Sequence, residues 1–228
     1  MSVSVDTVYQ RVLAILNKEQ RGYVTPQEFN LFANQAQMDI FEQYFYDINQ
    51  FGRIPGNSTE YSDMLNILNE KINLFEKTGS MTYSANYWNT PADLYRMGTI
   101  IYGGKEVERV NKNEYLYIAT SPIAKPTDAH PIYTSEESGY KVYGTAELTT
   151  GVTCNYIKKP ATVAWAYQNV AGTAMYDAGN STDFELHASE ETELVYKILE
   201  LAGIAIKDPS VYQAGNQMEM QKLQQEKS

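Results

Sequence analysis

The chain has 228 residues, enough for one large domain or two small ones, and its 43% hydrophobic content is ordinary for a globular protein. Its formal net charge of −10, from 28 acidic and 18 basic residues, argues against a protein that grips nucleic acid, because such binding relies on Lys and Arg neutralising phosphates. No stretch approaches the roughly 18 apolar residues of a membrane span, the opening Met-Ser-Val-Ser-Val-Asp lacks the basic-then-apolar pattern of a secretory signal, and the lone Cys154 excludes an internal disulfide.

The first predicted helix covers residues 5–18. Val5, Val8, Val12 and Ile15 recur at three- and four-residue steps, and Tyr9, Leu13 and Leu16 widen the stripe. Ser4 or Asp6 can cap it. The connector from Asn17 to Glu28 has two readings. As a calcium loop it has Gly22 at the sixth position, Val24 at the eighth and Glu28 at the twelfth. Its ligand positions would then fall on Asn17, Glu19, Arg21 and Thr25, and Arg21 would point a cation at a dication. As a helix start it is a capping box. Thr25 and Glu28 exchange hydrogen bonds, Pro26 takes the first helical position, and Val24 and Phe29 form the flanking staple. Capping accounts for every residue from Val24 to Phe29 without a metal.

The second predicted helix runs from Thr25 to about Asn49, with Gly52 and Pro55 as stops. It carries two apolar stripes, one of Phe29, Phe32, Ala33, Ala36, Ile40 and Tyr44, the other of Met38, Phe41, Phe45 and Ile48. A helix apolar on two sides is usually sandwiched, and one neighbour could belong to another subunit. Residues 52–57 read as a loop. A third helix is predicted over 58–77, capped by Ser58 and ended by Thr78-Gly79, with Met64, Leu65, Leu68, Ile72 and Phe75 facing the core.

From Met81 to Tyr167 the composition turns to Tyr, Thr and Val broken by Gly, Pro and Asn, which is β texture. The clearest hairpin joins Thr99–Tyr102 to Lys105–Val110 through Gly103-Gly104. Tyr140–Tyr143 and Val152–Ile157 read as further strands, and Ser121–Glu137, holding three prolines, as a long surface loop. Residues 168–181 are small and polar. A last helix is predicted from Ser189 to about Lys207, with Leu194, Val195, Ile198, Leu201 and Ala202 on one face. The tail from Ser210 to Ser228 is polar and Gln-rich, anchored by Met218, Met220 and Leu223, and is expected to order against a partner. The expected fold is therefore α+β: a helical bundle of N-terminal helices plus one C-terminal helix, an inserted antiparallel β-rich domain, and an extended tail. The expected spans are 1–80, 81–168, 169–208 and 209–228.

Chemistry is sparse. His130 lies in the proline loop and His187 just before the last helix, where it reads as a pre-cap residue. Neither belongs to a cluster with metal spacing. Cys154, between Thr153 and Asn155, has no activating cation and reads as a small strand residue. No phosphate loop, dinucleotide fingerprint or nucleophile elbow is present. Glu136-Glu137 and Glu190-Glu191 are adjacent carboxylates, and neighbours on a chain rarely face one cleft. A cell-wall hydrolase would need two acidic residues converging from a distance. The sequons at Asn57 and Asn180 matter only in a secreted eukaryotic protein. No catalytic, cofactor or metal residue is assigned. The 19 tyrosines supply the amphipathic contact area common at protein interfaces.

Four blocks resemble a known family. They are Val8 to Phe45, with its Leu-Asn-Lys-Glu-Gln-Arg-Gly-Tyr-Val-Thr-Pro-Gln-Glu-Phe core, Trp88-Asn-Thr-Pro-Ala-Asp-Leu-Tyr-Arg96, Tyr156-Ile-Lys-Lys-Pro160 with Trp165 following, and Asp183-Phe-Glu-Leu186. Together they resemble the head–tail adaptor and tail-ring proteins of short-tailed bacteriophages, closest to the ring proteins of crAss-like phages. The resemblance implies a structural, non-enzymatic virion protein, assembled in the host cytoplasm into the phage neck or tail. It implies a homo-oligomeric ring of twelve subunits that contacts the portal or neighbouring tail rings and passes genomic DNA through its lumen. An acidic lumen fits that role, because it repels phosphate and lets DNA slide. The alternatives are a tail-associated cell-wall hydrolase and a calcium-responsive module at Asn17–Glu28.

Overall fold

The computed structural model describes residues 2–18, 24–51, 59–170, 172–206, 217 and 220. The expected 52–57 loop, the Ser58 cap, the sequon at Asn57, the centre of the 17–28 connector and, apart from two residues, the C-terminal tail lie outside them. The fold is α+β, with five α-helices and antiparallel sheets among the described residues. The chain forms two compact units, Met1–Leu74 with Pro160–Ser228, and Phe75–Lys159.

The first unit holds α1 (Val5–Lys18), α2 (Pro26–Phe51), α3 (Thr59–Asn73) and the C-terminal α5 (Glu191–Ile206), with α2 packed on α3 and α5, and α1 on α5. Val5, Val8, Tyr9 and Val12 are buried, as the stripe predicts, whereas Ile15 at its edge is exposed. At the start of α2 the capping box is formed. The Thr25 N–H donates to the Glu28 carboxylate at 2.9 Å, the Thr25 hydroxyl donates to the same oxygen at 2.8 Å, and the Glu28 N–H donates to Thr25 Oγ1 at 3.3 Å. Val24 and Phe29, the staple positions, are buried. Of the two stripes on α2, the first is the core face, whereas in the second only Phe41 is buried and Met38, Phe45 and Ile48 are half-buried.

A polar ladder, not anticipated from the sequence, ties α2 to the segment Ala161–Ala166. Asn30, Asn34 and Gln37 stand at i, i+4 and i+7, on one helical face. Asn30 and Asn34 each bond both the N–H and the C=O of a single residue. The Trp165 N–H donates to Asn30 at 2.8 Å and the Asn30 amide donates to Trp165 O at 3.3 Å. The Val163 N–H donates to Asn34 at 2.8 Å and the Asn34 amide donates to Val163 O at 2.8 Å. Gln37 donates to Ala161 O at 2.9 Å and accepts from the Glu185 N–H at 3.1 Å. The intervening Ala164 pairs with Thr182 on the other edge. Four helical residues rise about 6 Å and two strand residues about 6.6 Å, so alternate strand residues meet the helix one turn apart. The mismatch accumulates along the ladder, and the last rung is Gln, one methylene longer than Asn. The same segment carries Trp165, whose indole N–H donates to Asp6 at 2.9 Å, while Asp183 accepts from the Val5 N–H at 2.9 Å at the start of α1.

Two further features of this unit depart from expectation. Residues 168–181, read as an irregular polar stretch, contain a hairpin of β10 (Tyr167–Val170) and β11 (Thr173–Tyr176). The third helix stops at Asn73 instead of the expected residue 77. Residues 76–80 are claimed by backbone pairing in the second unit, which overrides their local preference.

That second unit contains β1 (Glu76–Ser80), β2 (Thr82–Ser84), β3 (Tyr87–Asn89), β4 (Leu94–Tyr102), β5 (Lys105–Glu106), β6 (Glu108–Arg109), α4 (Lys112–Thr120), β7 (Ile132–Glu136), β8 (Gly139–Tyr143) and β9 (Val152–Lys158). One sheet has the order β1-β9-β4-β5 and the other β2-β3-β8-β7-β6. Pairings are antiparallel except that of β6 with β7. The chain passes between sheets at single buried residues. Met81 joins β1 to β2 and Val107 joins β5 to β6, their N–H groups donating to Val152 O at 3.2 Å and Ile100 O at 2.8 Å. One core gathers Ile100 and Cys154 from the first sheet with Trp88 and Val142 from the second. Gly103 and Gly104 turn the predicted hairpin with φ of 56° and 76°, conformations open to glycine. The unit begins before Met81 and ends before Pro160, because β1 belongs to it and the Tyr167 hairpin does not. The loop expected over 121–137 is shorter, since β7 occupies its end, paired to β8 from Ile132↔Tyr143 to Glu136↔Gly139.

Candidate functional site

Among the described residues, most of those that sequence singled out for chemistry make structural contacts. The Glu28 carboxylate is held below the ordinary range by the Thr25 N–H and then by the Thr25 hydroxyl, and it caps α2. Cys154 is fully buried on β9, and burial pushes its thiol pKa up. His187 caps a single 3-10 turn (Ala188–Glu190), its Nδ1 accepting from the Ser189 N–H at 3.3 Å. His130 is exposed and closes a four-residue turn with Thr127 through two backbone bonds of 3.0 and 3.3 Å. Glu190 and Glu191 diverge. Glu190, with a side chain 2% exposed, pairs with Lys71 of α3 at 2.6 Å, and Glu191 pairs with Arg11 of α1 at 2.7 Å. Glu136 accepts from the Tyr87 hydroxyl at 3.0 Å, which lowers its pKa, and lies 3.4 Å from Lys112, whereas Glu137 is exposed. Among the described residues no three His, Cys, Asp or Glu side chains gather at metal-binding range.

Two surfaces instead stand out by what they expose. The first is α4, which the sequence reading placed between strands without recognising it. Its signal was the Asn111-x-x-Glu114 spacing of a capping box. The Asn111 N–H donates to the Glu114 carboxylate at 3.2 Å. The helix has no buried residue. It is fastened by Tyr115, whose ring stacks on Tyr143 with centroids 4.2 Å apart and planes 23° apart. With Tyr115 turned inward, Leu116 and Tyr117 face solvent at 66% and 78% exposure, and Ile123 in the following turn is 97% exposed. From Tyr115 to Ala124 no side chain is charged.

The second surface is a cleft of about 320 Å³ in the first unit, between α1 and the β10–β11 hairpin. Tyr9 and Leu13 form one wall, Thr173 and Tyr176 the other, and Trp165 and Gln10 complete it. The aromatic rings are mutually ordered. Trp165 lies 4.3 Å from Tyr9, and 5.7 Å from Tyr176 in a stacked arrangement. Tyr167, Val170, Met175 and Tyr176 of the hairpin are exposed. A two-stranded hairpin is marginal by itself in water, and here Trp165 beneath it supplies the apolar support. From Pro160 to Tyr176 no residue carries a charge.

Among the described residues no helix is long and apolar enough to cross a membrane. No protein-family model matches this chain, and no curated protein matches it.

Proposed function

We propose that this chain is a structural ring subunit of a phage neck or tail, joining the portal and tail and lining the DNA channel. The observation that carries the reading is a pair of surfaces that expose apolar side chains, one on each compact unit: Leu116, Tyr117 and Ile123 on one, and Tyr167, Val170, Met175 and Tyr176 on the other. A closed ring of identical subunits needs two different, complementary patches per subunit. Exposed apolar patches on an otherwise polar surface mark protein contacts. A chain of net charge −10 repels its own copies elsewhere, so uncharged faces are where they can meet.

The resemblance of the four sequence blocks supplies the rest: twelve copies, a portal or tail-ring neighbour, a place in the virion, and no enzymatic activity. The acidic balance supports a lumen through which DNA slides without being held. The test is light scattering and electron microscopy of the purified chain, with binding to portal and tail proteins and to duplex DNA at physiological salt. Rings of defined copy number, retained by portal or tail protein and weak toward DNA, are the expected result. A strict monomer with no affinity for those proteins, or tight DNA binding, refutes the proposal.

A further inference from the structure

We infer that the cleft between α1 and the β10–β11 hairpin takes an extended, non-acidic peptide segment of a partner protein, which adds to the free edge of β11 as a third strand. The inference stands apart from the ring reading, since a lone subunit can hold a peptide and a ring can form without one.

The occupant follows from the backbone. The register Val170↔Thr173 and Gln168↔Met175, continued by the Asp177 N–H donating to Ala166 O at 2.9 Å, fixes which residues bond across the hairpin. In an antiparallel pair that role alternates along each strand. The N–H and C=O groups of Ala174 and Tyr176 therefore point away from β10, and among the described residues no hydrogen bond takes them up. The cleft lies on that side. It is lined by Gly172, Thr173, Ala174 and Tyr176 and by no residue of β10, with Gln10 and Leu13 of α1 opposite. Donors and acceptors at alternate residues of a strand edge match the backbone of another extended chain. β11 has four residues, about 13 Å, enough to register about three or four residues of a peptide. Such recognition is made by main chain and does not require the buried rings of Tyr9 and Trp165.

The composition of the edge selects the same partner. Open sheet edges invite stray strands, and proteins blunt them with charge, proline or shortness. The outer strands of the second unit are blunted in this way. β1 carries Glu76 and Lys77, β5 Lys105 and Glu106, β6 Glu108 and Arg109, and β2 is three residues long. β11, Thr-Ala-Met-Tyr, has neither charge nor proline. Asp6, which holds the Trp165 indole, and the net charge of −10 disfavour an acidic peptide. Half-buried Leu13 and the exposed Gln10 suit one apolar and one polar side chain of the added strand.

The experiment selects binders from a library of random twelve-residue peptides on the full chain and measures the affinity of a selected peptide for two variants. Ala174→Pro removes an outward N–H while sparing the bonds to β10, and Asn169→Pro does the same on the β10 edge, which does not line the cleft. The expected result is a peptide poor in Asp and Glu whose affinity falls at least tenfold with Ala174→Pro and is unchanged with Asn169→Pro, at unchanged melting temperature. N-methylation at alternate amides of the peptide should abolish binding, and methylation of the intervening amides should leave it. That pair of peptides decides the question alone if Ala174→Pro disturbs the hairpin. No enriched peptide, or binding indifferent to Ala174→Pro and to N-methylation, overturns the inference. A synthetic peptide of residues 210–228 that outcompetes the selected peptides makes the chain's own C-terminal segment the occupant, against the inference. Self-association abolished by Ala174→Pro makes a second copy the occupant and counts against it as well. Ring formation, read separately by light scattering, is untouched by loss of peptide binding.

Discussion

Replacing Asn34 by alanine tests the amide ladder at its middle rung. The side chain satisfies both the N–H and the C=O of Val163, each at 2.8 Å. Val163 is only 1% exposed, so its backbone groups have poor access to water. Leaving a buried group unsatisfied costs about 1–3 kcal/mol, so two groups bracket about 2–6 kcal/mol. Asn34 itself is half-buried, and the space it vacates admits water from that side. The low end applies, about 2–3 kcal/mol, which at a urea slope of about 1–3 kcal/mol/M moves the midpoint by about 1 M or more. The assay is urea unfolding followed by tryptophan emission in a Trp88→Phe background, so that Trp165, the only other tryptophan, reports the strand that the ladder holds. Asn34→Asp is the matched control. It keeps an acceptor for the Val163 N–H but turns a carboxylate oxygen toward Val163 O. Its deficit should shrink at acid pH, where the protonated carboxyl can donate again. A cost below about 0.5 kcal/mol for Asn34→Ala would show that water replaces the amide freely. Burial of Val163 and Trp165, not the ladder, would then align the strand.

Gly98 sits beside a register shift between β4 and β9, and a Cβ there would lie 2.8 Å from the Asn155 carbonyl oxygen. Gly98→Ala should therefore destabilise the β unit by about 1–3 kcal/mol, read from Trp88 emission in a Trp165→Phe background. Lys71→Met removes the cation held 2.6 Å from the buried Glu190 carboxylate and should cost about 3–5 kcal/mol. Adding Glu190→Gln should recover much of that loss, and a denaturation series on the three variants checks it. Because the folded-state pKa of Glu28 is depressed, its contribution is present above the usual carboxylate range and is lost as pH falls through the lowered value. Glu28→Gln should flatten the acid limb of melting temperature below the usual carboxylate range, and identical limbs would count against the cap. Deleting residues 210–228 is expected to leave the melting temperature unchanged and weaken assembly, and loss of folding would place that segment in the core.

Legibility in the sequence tracked how local the stabilising interaction was. The α1 stripe and the Thr25–Glu28 box are satisfied within a few residues, so their spacing was enough. The Gly103-Gly104 turn announced its hairpin because only glycine takes those angles without strain. The β2–β3 hairpin turns on Ala85 and Asn86, at φ 52° and 65°, and an alanine gives no such signal. Helix α4 carried a capping signature, yet it has no buried residue to reinforce it, and Leu116 and Tyr117 face outward. Strand β7 was hidden behind the prolines of the preceding loop.

The helices at the two ends of the chain, the capped start of α2, the core faces of α1 and α5, the Gly103-Gly104 hairpin, and the acidic, motif-poor character of the chain followed from the sequence by itself. Periodicity and capping are properties of residues close in the chain. Tertiary structure alone decided that Glu76 and Lys77 leave the expected helix for strand β1, whose partners are residues 153–157. It alone set Asn30, Asn34 and Gln37 against a strand more than a hundred residues away. It also turned Leu116 and Tyr117 to solvent while Trp165 went inside. In each case the deciding partner is distant in sequence, and backbone pairing or desolvation outweighs what neighbouring residues prefer.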